Sequence, residues 1–527
     1  MEQILQIIES VNSAINGVVW GLPMIVLILG TGILLTVRTK LLQVRKFPLA
    51  WNETIISTFK QMGKKSNDAK KKAISPFEAF ATAISGTVGT GNIIGVTSAI
   101  MTGGPGAVFW MWVSAFFGMV TNYAENVLGM YFRKKDANGE FSGGPMQYLS
   151  EGLAGNTKGK LHSFLKGLGK VLAVLASVFC VVAAIGMSGV QTNKISVTFQ
   201  SVIPANPDTV ALVVGIVVAI VLALIVLGGI KSIGRVSSLI VPFMSVIFIG
   251  MSLVIIFANI TAIGTAFALI FKNIFSFNAA FGGFSGYAFG QIIQKGLARG
   301  VFSNEAGLGS SVIAYSASEE KEPVKQGLWG IFGVFFDSFI ICTLTAIVVL
   351  VSFGNEQGMK EVLYAQGAQD TTVAMSAYTN MFGAFGSVTY SMFIPLFAFS
   401  TILAWAYYGE KCVDYLFRKT GDKGRKISTT VFKVVYVLLV IVSAVIDGEL
   451  AWAISDTANG LMALPNFVGL VLMSGLIVKI TKNYFDRKAG KDVSPMLSAY
   501  ADQNAELQAE LLENTDAVES TTQTANE

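Results

Sequence analysis

Two short runs of glycine and small polar residues interrupt segments that are otherwise apolar enough to cross a membrane. The first run covers residues 86–92 (GTVGTGN) and the second covers residues 302–311 (FSNEAGLGSS). Backbone that is not helical survives at membrane depth only where protein encloses it or where it lines a wet cavity. Freed amide groups there attract an anion, and freed carbonyl groups attract a cation. The two runs therefore predict a mid-membrane binding site for a zwitterion together with an alkali cation.

Neutral side chains near the runs can supplement the backbone as ligands. They are Thr87, Asn92, Gln191, Ser303, Asn304, Ser400 and Thr401. Each has an alternative interpretation. The glycines of the runs would also permit close packing of helices. Ser400 and Thr401 would also bond back to a carbonyl of their own helix, and Gln191 would also suit a polar helix end.

Five ionisable residues lie within or beside apolar segments, where charge is costly and usually functional. They are Glu125, Lys295, Arg299, Glu305 and Asp337. We expect most of them to form ion pairs in which Lys295 or Arg299 faces one of the acids. For Glu305, a role in gating or in proton linkage is the alternative.

The composition places the chain in a membrane. Of 527 residues, 53% are hydrophobic and 13% are charged, and the mean hydropathy is +0.60, whereas a soluble domain has about 25% charged residues. The net charge of +5 comes from loops between apolar segments, which indicates membrane topology rather than nucleic-acid binding. We expect the three cysteines to be packing residues, and no cleavable signal peptide is apparent.

Windows of about 20 apolar residues predict eleven spans. They lie near 17–37, 76–101, 106–132, 168–190, 209–229, 236–258, 281–317, 327–352, 386–410, 429–447 and 455–479. If the first span is set aside, the two interrupted runs fall in core spans one and six. Paired interruptions of this kind are typical of secondary transporters built from inverted repeats. We therefore predict an all-α fold with eleven transmembrane helices, a five-plus-five inverted repeat and one extra N-terminal helix.

The loops alternate in charge, and this predicts the orientation. Residues 38–75 carry ten Lys and Arg, and residues 133–170, 411–426 and 479–491 carry seven, six and five. The intervening loops at 191–208, 259–280 and 353–385 carry one each. Because basic loops stay in the cytoplasm, the N-terminus is predicted outside and the C-terminus inside.

These boundaries divide the chain into five predicted parts. They are an extracellular N-terminus at 1–16, the extra helix with its basic loop at 17–75, the repeats at 76–258 and 259–480, and a cytoplasmic acidic tail at 481–527. The end of that tail, from residue 492, has eight acids and no basic residue. We expect it to be largely disordered, with at most a marginal helix near 496–514.

Two longer runs carry a family resemblance. Residues 86–112 (GTVGTGNIIGVTSAIMTGGPGAVFWMW) and 298–311 (ARGVFSNEAGLGSS) resemble the alanine or glycine:cation symporter family, over about residues 15–485. The family is similar in fold to the amino acid, polyamine and organocation superfamily. The resemblance implies sodium- or proton-coupled uptake of small neutral amino acids such as alanine or glycine across the plasma membrane, with Na⁺ as coupling ion and no cofactor.

The resemblance also implies residue roles. The substrate carboxylate would lie near Gly89, Thr90 and Gly91, and its ammonium group near Asn92 and Gln191. Thr87 and Ser303 would border the substrate, and Phe302 and Trp405 would wall a pocket for a methyl-sized side chain. Sodium would bind the carbonyls of Ser85, Val88 and Phe397 and the hydroxyls of Ser400 and Thr401.

Other function classes fit less well. A channel is typically built from rings of charged side chains or from an oligomeric pore. Internal repeats with paired interruptions do not indicate a channel. The sequence has no HExxH, GxSxG or GxxxxGK[ST] motif, so an enzyme or an ATP-driven pump is not indicated. The sequence makes no prediction about oligomeric state.

Overall fold

The computed structural model describes residues 2–61, 73–135, 140–155, 157–274, 285–353, 357–358, 361, 369–446 and 448–511. Its elements are almost all helices. The α-helices are α1 Glu2–Val19, α2 Leu22–Arg38, α3 Leu42–Arg45, α4 Phe47–Trp51, α5 Ser57–Gln61, α6 Pro76–Thr87, α7 Ile94–Gly103, α8 Ala107–Tyr131, α9 Pro145–Gly152, α10 Gly159–Gln200, α11 Pro207–Val226, α12 Gly229–Ala258, α13 Ile263–Lys272, α14 Ser285–Asn304, α15 Ser311–Tyr315, α16 Pro323–Val334, α17 Thr343–Val351, α18 Asp370–Phe382, α19 Ala384–Leu416, α20 Gly421–Val445 and α21 Gly448–Lys488.

Shorter elements complete the chain. Thr90–Asn92 and Ile260–Ala262 form 3₁₀ turns, and Asn52–Ile56 and Phe335–Cys342 form π-helical segments. Strands β1 Lys134–Lys135 and β2 Phe141–Ser142 pair antiparallel.

Within the described residues, nine helices are long and apolar enough to cross a membrane. They coincide with nine of the eleven predicted windows. The other two windows, near 76–101 and 281–317, contain pairs of shorter helices, α6 with α7 and α14 with α15. Both interruptions fall where glycine and small polar residues predict a break in a span.

The two interrupted segments run in opposite directions. Ile74, just before α6, forms a parallel bridge with Ser318, just after α15. A Cβ placed on Gly106, after α7, would overlap the backbone of Asn273, which precedes α14. The start of the first segment thus lies beside the end of the second, as an inverted repeat requires. We call the end of the molecule with Ile74 and Ser318 the basic face and the end with Gly106 the opposite face.

Local signals set the start of α6. Ser75 caps it by accepting from the Glu78 N–H (3.2 Å), while the Glu78 carboxylate accepts from the Ser75 N–H (2.9 Å). Pro76 occupies the first turn, where its missing N–H costs nothing. The broken helix is therefore anchored at the basic face before it reaches its interruption.

The first part of the acidic tail is helical. Residues 501–511 form a helix, and Leu497 and Leu507 are buried. The Ala499 N–H donates to the carbonyl of Tyr131 at the end of α8 (2.8 Å). This helix falls within the window, 496–514, where the sequence predicts at most a marginal helix, and two buried leucines and a backbone donor contact the basic face. Residues 512–527 lie outside the described residues.

Candidate functional site

The first interruption is a buried turn of extended backbone between α6 and α7. Val88 leaves the helix at ψ 83°, and Gly89 is extended (φ −123°, ψ −156°) before the 3₁₀ turn begins at Thr90. Val88, Thr90 and Asn92 are fully buried. The chain thus turns non-helical at membrane depth only where neighbouring helices enclose it, as the bilayer requires.

Two amide side chains accept from the freed N–H groups of this turn. The Gly89 N–H donates to Asn92 Oδ1 (3.0 Å), and the Thr90 N–H donates to Gln191 Oε1 (3.3 Å). The Thr90 hydroxyl donates to the same Gln191 oxygen (2.8 Å). Adjacent backbone donors therefore converge on two oxygen acceptors, one from the turn itself and one from α10.

Close packing explains why residue 89 is glycine. A Cβ placed there would overlap Thr401 Oγ1 and would lie 3.3 Å from Gln191 Nε2. Since real Cβ atoms do not approach so closely, only glycine lets the backbone meet α19 and α10 together. The structure thereby brings Gly89, Gln191 and Thr401 into one cluster.

Backbone and hydroxyl oxygens gather beside that cluster. The Thr401 hydroxyl lies 3.0 Å from the Ser85 carbonyl and 3.1 Å from the Phe397 carbonyl. The Ser400 hydroxyl lies 2.9 Å from the same Phe397 carbonyl. Four of the five groups predicted to bind sodium are thus linked in a chain of close contacts. Val88, the fifth, closes the last turn of α6 by donating to the Ile84 carbonyl (2.7 Å). Neutral oxygens of this kind suit an alkali cation.

The second interruption is held by a carboxylate from another helix. Glu125 on α8 accepts from the Gly307 N–H (3.0 Å) and from the Asn466 side chain (2.5 Å). Asn466 Nδ2 also donates to the Gly307 carbonyl (2.8 Å). Gly307 has φ +96°, a region that favours glycine. Glu125 and Asn466 therefore fix the turn from both sides.

Glu305 is the strained residue of this second turn. Its φ of +54° places a non-glycine residue in the left-handed region, which costs about 1–2 kcal/mol. Its Oε2 accepts from the Ser310 hydroxyl (2.5 Å), whereas its Oε1 has no hydrogen-bond partner among the described residues although the side chain is fully buried. The Trp405 indole lies beside this carboxyl.

Asp337 joins the two interruptions, and the sequence did not place it in the site. Its carboxylate accepts from the Asn92 side chain (2.5 Å) and from the Ser303 hydroxyl (2.9 Å). Asn92 Nδ2 and Ser303 Oγ are also 2.9 Å apart. Asp337 lies in the π-helical segment between α16 and α17. An acid in the middle of an apolar span was the available signal, but nothing in the sequence shows that it faces Asn92.

The expected ion pairs are not present among the described residues. Glu125, Glu305 and Asp337 have hydroxyl, amide or backbone donors as neighbours rather than Lys or Arg. Arg299 instead stacks on aromatic rings, 4.7 Å from the centroid of Trp452. That expectation was wrong because the acids lie at the interruptions, where neutral donors already surround them.

The remaining predicted residues separate into different surroundings. Phe302 lies against Gly91, where an added Cβ would be 3.4 Å from its ring, and it stacks on Trp452 at 5.2 Å. Trp405 packs against Tyr408 at 5.6 Å. Thr87 bonds back to the Ile84 carbonyl (3.2 Å) and lines a small cavity. Phe302 therefore adjoins the first interruption, Thr87 lies where that interruption begins, and Trp405 has other neighbours.

Comparison with known proteins gives a family match over nearly the whole chain. Residues 5–498 match the model of the sodium:alanine symporter family. The chain is 41% identical over 476 residues to the sodium/alanine symporter AgcS of Methanococcus maripaludis, covering 90% of this chain and 97% of that protein. It is 33% identical over 488 residues to the probable sodium/glutamine symporter GlnT of Bacillus subtilis, covering 92% and 93%.

Two solved structures share the fold at low sequence identity. A crystal structure of MhsT in complex with L-phenylalanine is 15% identical, with a TM-score of 0.51 over 79% of this chain and 99% of that one. A Na⁺-coupled sialic acid symporter in a substrate-bound outward-open state is 11% identical, with a TM-score of 0.51 over 92% and 93%. These matches confirm the predicted all-α membrane fold.

Proposed function

The chain belongs to the sodium:alanine symporter family, and from that premise we propose that it imports alanine, glycine or a close relative together with Na⁺. Membership makes it a multi-pass membrane protein that couples amino acid transport to a cation, not an enzyme. Our proposal goes beyond family membership by naming Na⁺ as the ion, alanine or glycine as the substrate and import as the direction of transport. It places the protein in the plasma membrane with its basic face in the cytoplasm, where the loop charges favour it.

The observation that carries the proposal is the meeting of donors and oxygens at one buried turn. The N–H groups of Gly89 and Thr90 form one group at this turn. The carbonyls of Ser85 and Phe397 form a second group around the Thr401 hydroxyl. A zwitterion's carboxylate suits the first group and a sodium ion suits the second. Both ligands would then stabilise one arrangement of the broken helix.

The two acceptors at the turn support a carboxylate in particular. Gly89 and Thr90 donate to two separate side-chain oxygens, those of Asn92 and Gln191. A carboxylate also offers two oxygens, so it would replace both acceptors and free the two side-chain amides to face the ammonium group. Phe302 against Gly91 leaves little room and favours a small side chain.

Binding of Na⁺ and binding of the amino acid are coupled if each ligand has a higher affinity for the same conformation of the protein. A ligand shifts a conformational equilibrium only by as much as it prefers one state. Sodium at Ser85 and Phe397 would fix α6 to α19, and the amino acid at Gly89 would then bind an ordered turn. A linkage of about 1–3 kcal/mol between the two ligands is typical of such coupling.

Uptake by purified protein in proteoliposomes tests the function. Gradients of Na⁺, Li⁺ and H⁺ are imposed separately, and alanine, glycine and glutamine are supplied in turn. Sodium-driven, saturable accumulation of alanine or glycine is expected. Uptake that is independent of both the Na⁺ gradient and the H⁺ gradient would refute the proposal. Counterflow of labelled for unlabelled substrate separates a carrier from a channel.

A hydroxyl deletion tests the sodium site. Thr401→Val removes Oγ1 but keeps the shape of the side chain, so we expect the Na⁺ concentration for half-maximal uptake to rise roughly ten-fold. Thr389→Val on the same helix is the matched control, because its exposed hydroxyl bonds only to the Phe385 carbonyl. The same Na⁺ dependence in both variants would refute the assigned site.

Proton coupling is the second candidate, and the buried acids favour it. Glu125, Glu305 and Asp337 are fully buried and lack Lys or Arg partners among the described residues. An isolated buried carboxylate is costly unless it gains a proton or a cation. Uptake driven by a proton gradient in Na⁺-free medium, and lost in Glu305→Gln, would favour this alternative.

A further inference from the structure

A large cavity on the opposite face is separated from the first interruption by two aromatic rings and is not part of the site described above. Its volume is about 590 Å³. Its wall includes Thr102 at the end of α7, Lys194 on α10, Arg299 on α14, Asp370 on α18 and Trp452 on α21. Six helices thus contribute, since Ala444 and Val445 of α20 also line the cavity, and two of the wall residues are cations.

The two cations differ in what they contact. Lys194 forms an ion pair with Asp370 (2.8 Å). Arg299 lies over the rings of Trp452 and Phe302, at 4.7 and 5.7 Å from their centroids. The Arg299 Nη1 group is buried and donates no hydrogen bond to any residue that the structure describes. A buried donor without an acceptor costs about 1–3 kcal/mol, and a ligand in the cavity would satisfy it once the side chains that enclose Nη1 move aside.

The aromatic rings separate this cavity from the interruption. Trp452 and Phe302 stack with centroids 5.2 Å apart and planes 20° apart. Phe302 in turn lies against Gly91. A molecule beside Arg299 is therefore two stacked rings away from the backbone of the first turn. Rotation of those rings would join the two places.

We propose that Arg299 binds the carboxylate of an amino acid in this cavity before the amino acid reaches Gly89. A guanidinium presents paired donors that match the two oxygens of a carboxylate. Stacking on Trp452 holds the guanidinium in place while leaving its edge for the ligand. The inference rests on the proposed function for the identity of the substrate. It adds a second substrate-binding site, the outer station, to the same transport pathway.

Transport kinetics give the first test. Arg299→Gln should raise the KM for alanine roughly ten-fold, with maximal uptake kept within about two-fold because the inner site is intact. Lys194→Gln removes the same charge from the same wall, and Asp370 already pairs it, so its KM should change much less. An equal rise in the KM for both variants would mean that Arg299 acts only through the positive electrostatic potential of the cavity. That result would overturn the proposal.

Direct binding gives the second test and does not depend on transport. Gly89→Ala introduces a Cβ that would overlap Thr401, which should close the inner site. Equilibrium dialysis of labelled L-alanine in Na⁺-free buffer then reports weak residual binding to this variant. Propionate should compete with that binding, whereas alaninamide, which lacks a carboxylate, should not.

The outcomes separate the claims. Loss of residual binding in Gly89→Ala combined with Arg299→Gln supports the outer station. Residual binding that survives Arg299→Gln, or that chloride displaces as well as propionate does, refutes it. The proposed function fails differently, through unaltered protein that shows no cation-driven uptake. If Gly89→Ala does not fold, the kinetic comparison of Arg299→Gln with Lys194→Gln still decides.

Discussion

The two faces of the molecule hold an arginine in different ways. On the basic face, Arg133 donates to the carbonyls of Ser316 (3.2 Å), Ser318 (2.6 Å) and Glu320 (2.6 Å). On the opposite face, Arg299 stacks on rings and keeps a donor without an acceptor among the described residues. On the basic face, carbonyl groups of the same chain satisfy the guanidinium of Arg133. On the opposite face, the guanidinium of Arg299 has a donor left for the proposed ligand.

The basic face has further fixed contacts around the start of the broken helix. The Ile74 N–H donates to the Ala317 carbonyl (3.3 Å), and the Ile74 carbonyl accepts from Glu319 (2.8 Å). Arg133 bonds to this same stretch after α15. The C-terminal segment, residues 492–511, adds Lys321 with Glu510 (2.9 Å). Opening the basic face requires that several polar contacts break together, whereas on the opposite face the ion pair of Lys194 with Asp370 and the stacked rings of Trp452 and Phe302 lie between α10, α14, α18 and α21.

The largest expected effect comes from removing the central cation of the basic face. Arg133→Met leaves three carbonyls without their donor, so we expect a loss of roughly 3–5 kcal/mol in the free energy of unfolding. Thermal unfolding of purified protein measures it. Arg418→Met is the control, since Arg418 is exposed and lies over the Tyr415 ring at 3.9 Å. Similar losses in both variants would contradict the special role of Arg133.

The next effect concerns a bidentate pair on the basic face. Arg487 contacts both oxygens of Glu322 at 2.6 and 2.8 Å, and Glu322 is only 7% exposed. A double-mutant cycle with Arg487→Ala and Glu322→Ala should give a coupling energy of about 1–2 kcal/mol. If the two single substitutions changed the free energy of unfolding additively, the contact between Arg487 and Glu322 would not help to close the basic face.

On the opposite face, the ring stack should matter for substrate rather than for stability. Trp452→Leu removes the surface on which Arg299 lies, and we expect the KM for alanine to rise about five-fold. Trp452→Phe keeps an aromatic face and should recover most of that loss. A fall in thermal stability without a change in KM would indicate a packing role alone.

The smallest effect belongs to the exposed pairs of the C-terminal segment. Lys135 and Glu506 are 2.5 Å apart, but they are 39% and 48% exposed. Glu506→Gln should change the free energy of unfolding by less than about 0.5 kcal/mol. The change should vanish at high salt because solvent screens the pair. A larger effect that persists in salt would mean that this segment is held more tightly than its exposure indicates.

Several residues that the sequence assigned to the site lie together in the structure. Gly89, Gln191 and Thr401 meet, as do Thr401 and the carbonyls of Ser85 and Phe397. The assigned ligand roles of these residues remain predictions. Trp405 has a different neighbourhood from Phe302, because one turn of α19 separates it from Thr401 and directs it towards Glu305. Helical spacing alone does not show which neighbour a buried ring faces.

By itself, the sequence determined what depends on local chemistry. Apolar length places a segment in the bilayer, loop charge predicts its orientation, and glycine-rich runs mark where a helix ends. The tertiary structure decided which polar groups meet, since their partners are distant in the chain. Asn92 and Asp337 are 245 residues apart, and Arg133 bonds to carbonyls more than 180 residues away. Those pairings are set by packing between helices, and no local pattern encodes them.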